Sequence, residues 1–414
     1  MMKIGVIADD FTGATDAASF IVKGGLSAIQ LSGIQESAKG IDADALVVSL
    51  KSRSCEVNKA IEDSIKACDW LLEEGCELIY FKYCSTFDST EKGNIGPVVE
   101  ALKSHLSQRS VLLCPALPVN GRTVYQGHLF VFDKLLSDSG MRNHPITPMR
   151  DSNLLNVIES QSEGNAGLVS LQDIAKGGIS EKLAELELEG KELIICDSVS
   201  DSDLDRLAQI AQYQRLVSGG SGLIGAIAKL VSGKGASFEE QNQVQDQRKG
   251  VVLSGSCSEM TNQQVSVYKK LAPSLKLDVG RCLQDGAYLE EVMIWIVSHS
   301  NQAYFPMVYA TVSPDELSTI QSKYGDKASI GVENLFHELV KKLYSMGFNT
   351  FISAGGESSG TITQALSIES FRVGKEIAPG VPWMSSLDGE VRLALKSGNF
   401  GDAQFFERAQ ELLL

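Results

Sequence analysis

Two carboxylates, two hydroxyls and a glycine follow directly on an apolar run near the amino terminus. Ile4-Gly5-Val6-Ile7-Ala8 leads into Asp9-Asp10-Phe11-Thr12-Gly13-Ala14-Thr15-Asp16. Continuous apolar runs mark strands buried on both faces of a parallel sheet, and open α/β sheets collect ligands at the carboxyl ends of such strands. Asp10 or Thr12 can instead cap a helix beginning near Ala14. Two adjacent carboxylates with Thr12 and Thr15 exceed what a cap requires. Side chains alternate along an extended chain, so one of Asp9 and Asp10 is expected to face a ligand.

Two more strand ends in the first half carry polar side chains. One is Val48-Ser49-Leu50-Lys51-Ser52-Arg53-Ser54; the other is Phe81-Lys82-Tyr83-Cys84-Ser85-Thr86-Phe87-Asp88-Ser89-Thr90, followed by Gly93-Asn94. Arg53 offers a planar fork suited to a carboxylate, and Lys82 offers a point charge. Either alone reads as a solvated surface charge; on three strand ends of one sheet they suit a small organic acid.

The second half holds glycine and hydroxyl clusters of another character. Leu253-Ser254-Gly255-Ser256-Cys257-Ser258-Glu259-Met260-Thr261 follows one strand pattern, and Ser353-Ala354-Gly355-Gly356-Glu357-Ser358-Ser359-Gly360-Thr361 follows another before a helix near Ile362. Glycine permits close backbone approach, and amides at a helix start attract phosphate. Taken singly, each cluster also reads as a tight packing turn. Neither is a Walker A loop, because the lysine after the glycine is missing. Gly220-Ser221-Gly222-Leu223-Ile224-Gly225 matches the dinucleotide pattern G-x-G-x-x-G, with Glu239 and Glu240 about 20 residues on. The strand before it is short, so a close-packed strand-to-helix turn is the favoured reading, with an NAD-linked oxidoreductase as the alternative.

The elements that must position these residues alternate. Apolar strand patterns occur at Ile4–Ala8, Ala45–Leu50, Leu78–Tyr83, Ser110–Cys114, Gly167–Leu171, Glu192–Cys196 and Leu216–Val217, with helical periodicity at Ala14–Lys23, Val57–Glu74 and Ile95–Leu106. A second series starts at Val251–Ser254, continues through Ala303–Val308 and returns at Asn349–Ser353. This alternation predicts an α/β protein of two domains, each a mostly parallel sheet flanked by helices. The polar, Gln-rich stretch over 231–250 reads as a connector between a substrate domain, 1–230, and a second domain, 251–414.

Composition narrows the function. A chain of 414 residues exceeds what one core usually serves. The net charge of -15 opposes a nucleic-acid surface, and an anionic ligand then needs a local cationic pocket. Neither a membrane span nor a signal segment is evident, so a soluble cytoplasmic protein is expected. The eight cysteines form no C-x-x-C pair, and neither H-E-x-x-H nor G-x-S-x-G occurs.

In combination these motifs resemble the four-carbon acid sugar kinase family over essentially the whole chain. The resemblance rests on Ile7 to Ala14, Ser52-Arg53-Ser54, Lys82 to Thr86, Gly121-Arg122-Thr123, Gly355-Gly356-Glu357, Gly380-Val381-Pro382 and Lys396-Ser397-Gly398-Asn399-Phe400-Gly401. It implies a sugar-acid domain followed by a nucleotide domain, with ATP and Mg²⁺ as cofactors and no nucleic-acid or membrane partner. It also implies that Asp10, Arg53, Lys82, Tyr83, Cys84 and Ser85 meet the acid; Asp9 is counted with them as its neighbour, and because a carboxylate near the 4-hydroxyl could take its proton or orient it, Asp10 rather than Asp9 is the expected catalytic group. Ser258, Gly355, Gly356, Glu357, Ser358, Ser359, Gly360, Gly398 and Gly401 would meet ATP, while no motif fixes metal ligands or an oligomeric partner. Lys82 to Thr90 and His144-Pro145-Ile146-Thr147-Pro148-Met149 resemble the branch that phosphorylates 3-oxo-tetronate at its 4-hydroxyl. Other branches carry Asp where this chain has Cys84, which sets threonate and erythronate second as acceptors.

Overall fold

The computed structural model describes residues 2–35, 41–143, 147–233, 249–325 and 327–413. The chain divides into two compact units, Met1–Glu239 and Glu240–Leu414. Most of the expected connector, with Glu239 and Glu240, lies outside the described residues, as do His144, Pro145 and Ile146.

In the first unit the strands are β1 (Ile4–Ala8), β2 (Ala28–Ser32), β3 (Ala45–Ser49), β4 (Leu78–Lys82), β5 (Val111–Cys114), β6 (Arg122–Tyr125), β7 (His128–Val131), β8 (Lys134–Leu135), β9 (Asn165–Val169), β10 (Lys191–Cys196) and β11 (Leu216–Gly219). Eight of them form a parallel sheet in the order β2-β3-β1-β4-β11-β5-β10-β9. Every residue of β1, β3 and β4 is buried, as continuous apolar runs between two helical layers require. β6, β7 and β8 form a separate antiparallel sheet that no apolar run announced. Its turn at Gln126-Gly127 has both residues at positive φ, 49° and 72°, as a tight hairpin requires.

The second unit contains β12 (Gly250–Ser254), β13 (Ser274–Lys276), β14 (Met307–Tyr309), β15 (Thr350–Ala354), β16 (Ser370–Ala378), β17 (Val381–Ser386) and β18 (Arg392–Lys396). The order β13-β14-β12-β15-β18 is parallel, and β17 and β16 continue it antiparallel. The first four strands of each unit therefore have the same spatial order: second, third, first, fourth. In both units the chain leaves the first strand toward one edge of the order and the fourth toward the other, and open sheets leave a crevice for ligands at such a switch point.

Three element boundaries differ from the sequence expectation. The helix expected near Ala14 spans Phe11–Lys23, because the Asp10 side chain accepts the Gly13 N–H at 2.6 Å and starts it a turn earlier. The strand expected over Gly167–Leu171 stops at Val169, because Ser170 and Asp173 form a reciprocal capping box that opens the helix Leu171–Lys176. The strand expected from Ala303 starts only at Met307: the Phe305 N–H is bonded to the Gln410 side chain and Pro306 has no donor. Among the described residues no helix is long and apolar enough to cross a membrane.

Candidate functional site

The parallel pairing of β1 with β3 and β4 sets Ala8 level with Ser49 and Lys82, so the residues that follow these strands become neighbours. The backbone then locks them together. Asp9 N–H donates to Lys82 O at 3.1 Å, while the N–H groups of Ser52 and Arg53 donate to Asp9 O at 3.0 and 3.2 Å. Arg53 folds back over this corner, its Nε and Nη2 donating to the two Asp9 oxygens at 2.9 and 2.8 Å. Its Nη1 meets Asp10 Oδ2 at 2.8 Å.

Arg53 is thus not an open fork, since its bidentate edge is occupied by Asp9. Burial opposes its charge, but the carboxylates of Asp9 and Asp10 outweigh burial and raise its pKa above the ordinary guanidinium value. The two carboxylates differ in access. The Asp9 side chain is 6 % exposed and that of Asp10 is 32 % exposed, so Asp10 is the one open to a ligand. Asp10 also caps its helix, and a carboxylate has lone pairs enough for the Gly13 N–H, Arg53 and one further donor.

Lys82 is buried at the end of β4; its Nζ donates to Tyr83 O at 2.8 Å and lies 3.7 Å from Asp16 Oδ2. Asp16 also accepts from the Ser221 hydroxyl, and burial raises its carboxyl above the usual range against the pull of Lys82 and Ser221. Cys84 Sγ lies 3.0 Å from Thr86 Oγ1, and burial pushes its pKa to about 11, so it stays a neutral thiol at physiological pH. Ser85 is half-buried beside it. Tyr83 departs from the expectation of a side-chain contact. Its ring is wholly buried between Phe81 and Phe87, at centroid distances of 5.9 and 5.2 Å, because chain alternation turns it into the core.

Three residues of this corner were not singled out beforehand. Asn94 donates from Nδ2 to Ser52 O at 2.7 Å and Cys55 O at 3.0 Å, so it holds the turn that carries Arg53. Asp16 and Ser221 were visible only as members of quoted motifs. Ser221 explains part of the Gly220 to Gly225 pattern, and steric contact explains the rest. A Cβ on Gly220 would stand 2.5 Å from Pro115 O and one on Gly222 2.6 Å from Ala116 O, so the glycines admit a neighbouring main chain and leave no room for a dinucleotide.

The second unit gathers its clusters in the same way. The N–H groups of Gly255 and Ser256 donate to Ala354 O at 3.0 and 3.1 Å, and the Gly355 N–H donates to Lys396 O at 2.9 Å. Ser258 caps the helix Glu259–Tyr268, its hydroxyl accepting the Thr261 N–H. A Cβ on Gly398 would lie 2.6 Å from Ser256 Oγ and 2.9 Å from Ser258 Oγ; one on Gly255 would lie 2.2 Å from Ser358 Oγ. The turns 255–258, 355–358 and 397–398 are therefore in mutual contact.

Gly355, at φ 127°, opens the helix Gly356–Leu366, and a Cβ on Gly356 would meet nothing within 4 Å. The leading N–H groups of that helix lie beside open space, an arrangement chemically suited to an anion such as phosphate. Ser359 is turned inward toward Ser353 Oγ, 3.3 Å away, and Gly360 lies within the helix. Glu357 is exposed next to Glu333, whose carboxyl is raised by partial burial and by that neighbour. Gly401, at φ 76°, closes the 397–401 loop against Phe405. Ser256 and Lys396, quoted in the sequence motifs but not given a role there, join this set. Among the described residues no group of three or more His, Cys, Asp or Glu side chains could hold a metal ion.

Two family descriptions match this architecture: a sugar-binding N-terminal domain over residues 4–227 and a nucleotide-binding C-terminal domain over 251–406. The chain belongs to the four-carbon acid sugar kinase family. Among its relatives, the 3-oxo-tetronate kinase of Haemophilus influenzae is 49% identical over 99% of this chain and 100% of its own length. That of Brucella melitensis is 47% identical over 99% and 96%. A crystal structure of a Salmonella typhimurium protein described as a putative tRNA synthase is 46% identical, covers 100% of both chains and superposes with a TM-score of 0.93. A Haemophilus influenzae structure is 49% identical over 99% and 100%, with a TM-score of 0.88.

Proposed function

We propose that this chain transfers the terminal phosphoryl group of ATP to the 4-hydroxyl of 3-oxo-tetronate, giving 3-oxo-tetronate 4-phosphate and ADP. The observation that carries the reading is similarity at 46–49% identity, over nearly the full length of both partners, to curated 3-oxo-tetronate kinases. Phosphoryl transfer leaves the protein little covalent chemistry: it must anchor the acceptor, position its hydroxyl and offset phosphate charge. Lys82 and the outward face of Arg53 suit the acid, and the accessible Asp10 carboxylate suits the 4-hydroxyl, orienting it or taking its proton. The 255–258, 355–358 and 397–398 turns suit the triphosphate. Mg²⁺ would accompany the nucleotide and supply charge neutralisation, held largely by phosphate and water, as this ion often is.

Cys84 bears on the choice among four-carbon acids. Where other branches carry Asp, a neutral thiol at the end of the Lys82 segment does not repel a keto oxygen and is a weaker acceptor for a hydroxyl, which favours the keto acid over threonate and erythronate as acceptor. The test is a panel of fresh 3-oxo-tetronate, threonate and erythronate with coupled ADP detection and assignment of the phosphorylated position. Turnover highest on 3-oxo-tetronate with phosphate on O4 is the expected result. ADP release no greater than background on all three acids would end the kinase reading.

A further inference from the structure

Lys396, the last residue of β18, is 1 % exposed. Its Nζ donates to Ser397 O at 2.9 Å and Gly398 O at 2.8 Å, and lies 3.2 Å from Thr261 Oγ1. Thr261 Oγ1 in turn donates to Gly398 O and accepts from Ser258. The Lys396 carbonyl accepts the Gly355 N–H. One side chain and its own carbonyl therefore tie together all three turns of the nucleotide site.

Every partner of that ammonium group is a neutral oxygen. The charged side chains on the elements packed around it are directed elsewhere: Glu259 and Glu357 are exposed at their helix starts, and Asp402 is paired with Arg408 at 2.5 Å. Glu407 stands beside Tyr304. The Phe405 ring, 5.9 Å from Nζ, is the remaining neighbour of electrostatic note. The contrast within the chain is plain, since the equally buried Lys82 has Asp16 at 3.7 Å. A buried cation without a counter-ion is costly and tends to shed its proton. Burial alone pushes Lys396 down to about 7.

We propose that Lys396 is a positioning residue whose counter-ion is the phosphate chain of the bound nucleotide, so that nucleotide binding draws a proton onto its amine. This rests on the nucleotide reading of the second unit. The carbonyls of Ser397 and Gly398 are drawn inward by the ammonium group, which fixes the loop against Ser256 and Ser258. The phosphates then complete a charge that the protein leaves unpaired.

The experiment is titration calorimetry of the full chain with Mg²⁺ and ADP at pH 8.0 and pH 6.0, in buffers of differing ionisation enthalpy. With burial lowering the free amine to about 7, most of it is neutral at pH 8 and most of it charged at pH 6, so proton uptake per ADP should be clearly larger at pH 8 than at pH 6. Lys396→Arg, charged at both pH values, should bind ADP without that difference. Binding with no greater proton uptake at pH 8 than at pH 6 would overturn the proposal, as would a Lys396→Arg variant that keeps the wild-type uptake. Absence of any binding heat, confirmed by equilibrium dialysis with labelled ADP, would remove the nucleotide reading itself and the proposal with it.

Discussion

Arg53→Ala should cost fold stability as well as acid binding, because Arg53 holds two adjacent carboxylates together. In the wild type its three contacts with Asp9 and Asp10 are all 2.8–2.9 Å. Removing one member of a buried ion pair costs about 3–5 kcal/mol, since the partner charge is stranded. The Arg53 side chain is 26 % exposed and Asp10 is 32 % exposed, so water can partly compensate and the low end, about 3 kcal/mol, applies.

The pH dependence has a definite sign. Burial already raises the Asp9 carboxyl above its unfolded value with Arg53 in place, and removing that cation raises it further, so the folded variant holds more protons than the folded wild type as pH falls. The stability gap between variant and wild type should therefore narrow from pH 7.5 to pH 5. Trp70 is the one tryptophan of the first unit, so urea unfolding followed by its fluorescence in a Trp295→Phe, Trp383→Phe background reports on that unit. Adding Asp9→Asn to Arg53→Ala should restore about 1–2 kcal/mol, because the stranded charge is gone. A loss below about 1 kcal/mol that is the same at both pH values, with no rescue by Asp9→Asn, would refute the reasoning.

Asp10→Asn should lower kcat for the acid about 100-fold while leaving the KM for ATP within a factor of two or so, and steady-state kinetics at saturating ATP would detect any failure of that expectation. Gly398→Ala forces a Cβ to within 2.6 Å of Ser256 Oγ and should raise the KM for ATP about tenfold, with the acid KM unchanged as the control. For stability, the lowered Lys396 pKa means that between about 7 and 10.5 the unfolded chain holds a proton that the folded chain lacks, so this group makes stability rise with pH. Relative to Lys396→Met, wild type should gain up to about 1.4 kcal/mol per pH unit from pH 7.5 to 9; urea curves with a flat or falling difference would contradict it.

The parallel-sheet architecture and its strand ends were legible from residues alone, because buried parallel strands are continuous apolar runs and their ends are marked by an abrupt change to polar side chains. Ile4–Ala8 before Asp9-Asp10, and Leu78–Lys82 before Tyr83, show that contrast plainly. The family motifs likewise marked the turns that the structure gathers into one cluster in each unit. What no local pattern could supply was the pairing: that Arg53 spends its fork on Asp9, that Asn94 fastens the Arg53 turn, and that Ser221 reaches Asp16 from 205 residues away. The antiparallel β6–β8 sheet was also hidden, since it depends on a tight turn and carries little apolar signal; Asp10 was legible as a cap, but not that its bond to Gly13 starts the helix already at Phe11. Lys396 is the sharpest case. The motif from Lys396 to Gly401 marked its segment, but only the packing of Thr261, Gly398 and Phe405 around it decides that its charge is buried and without a carboxylate.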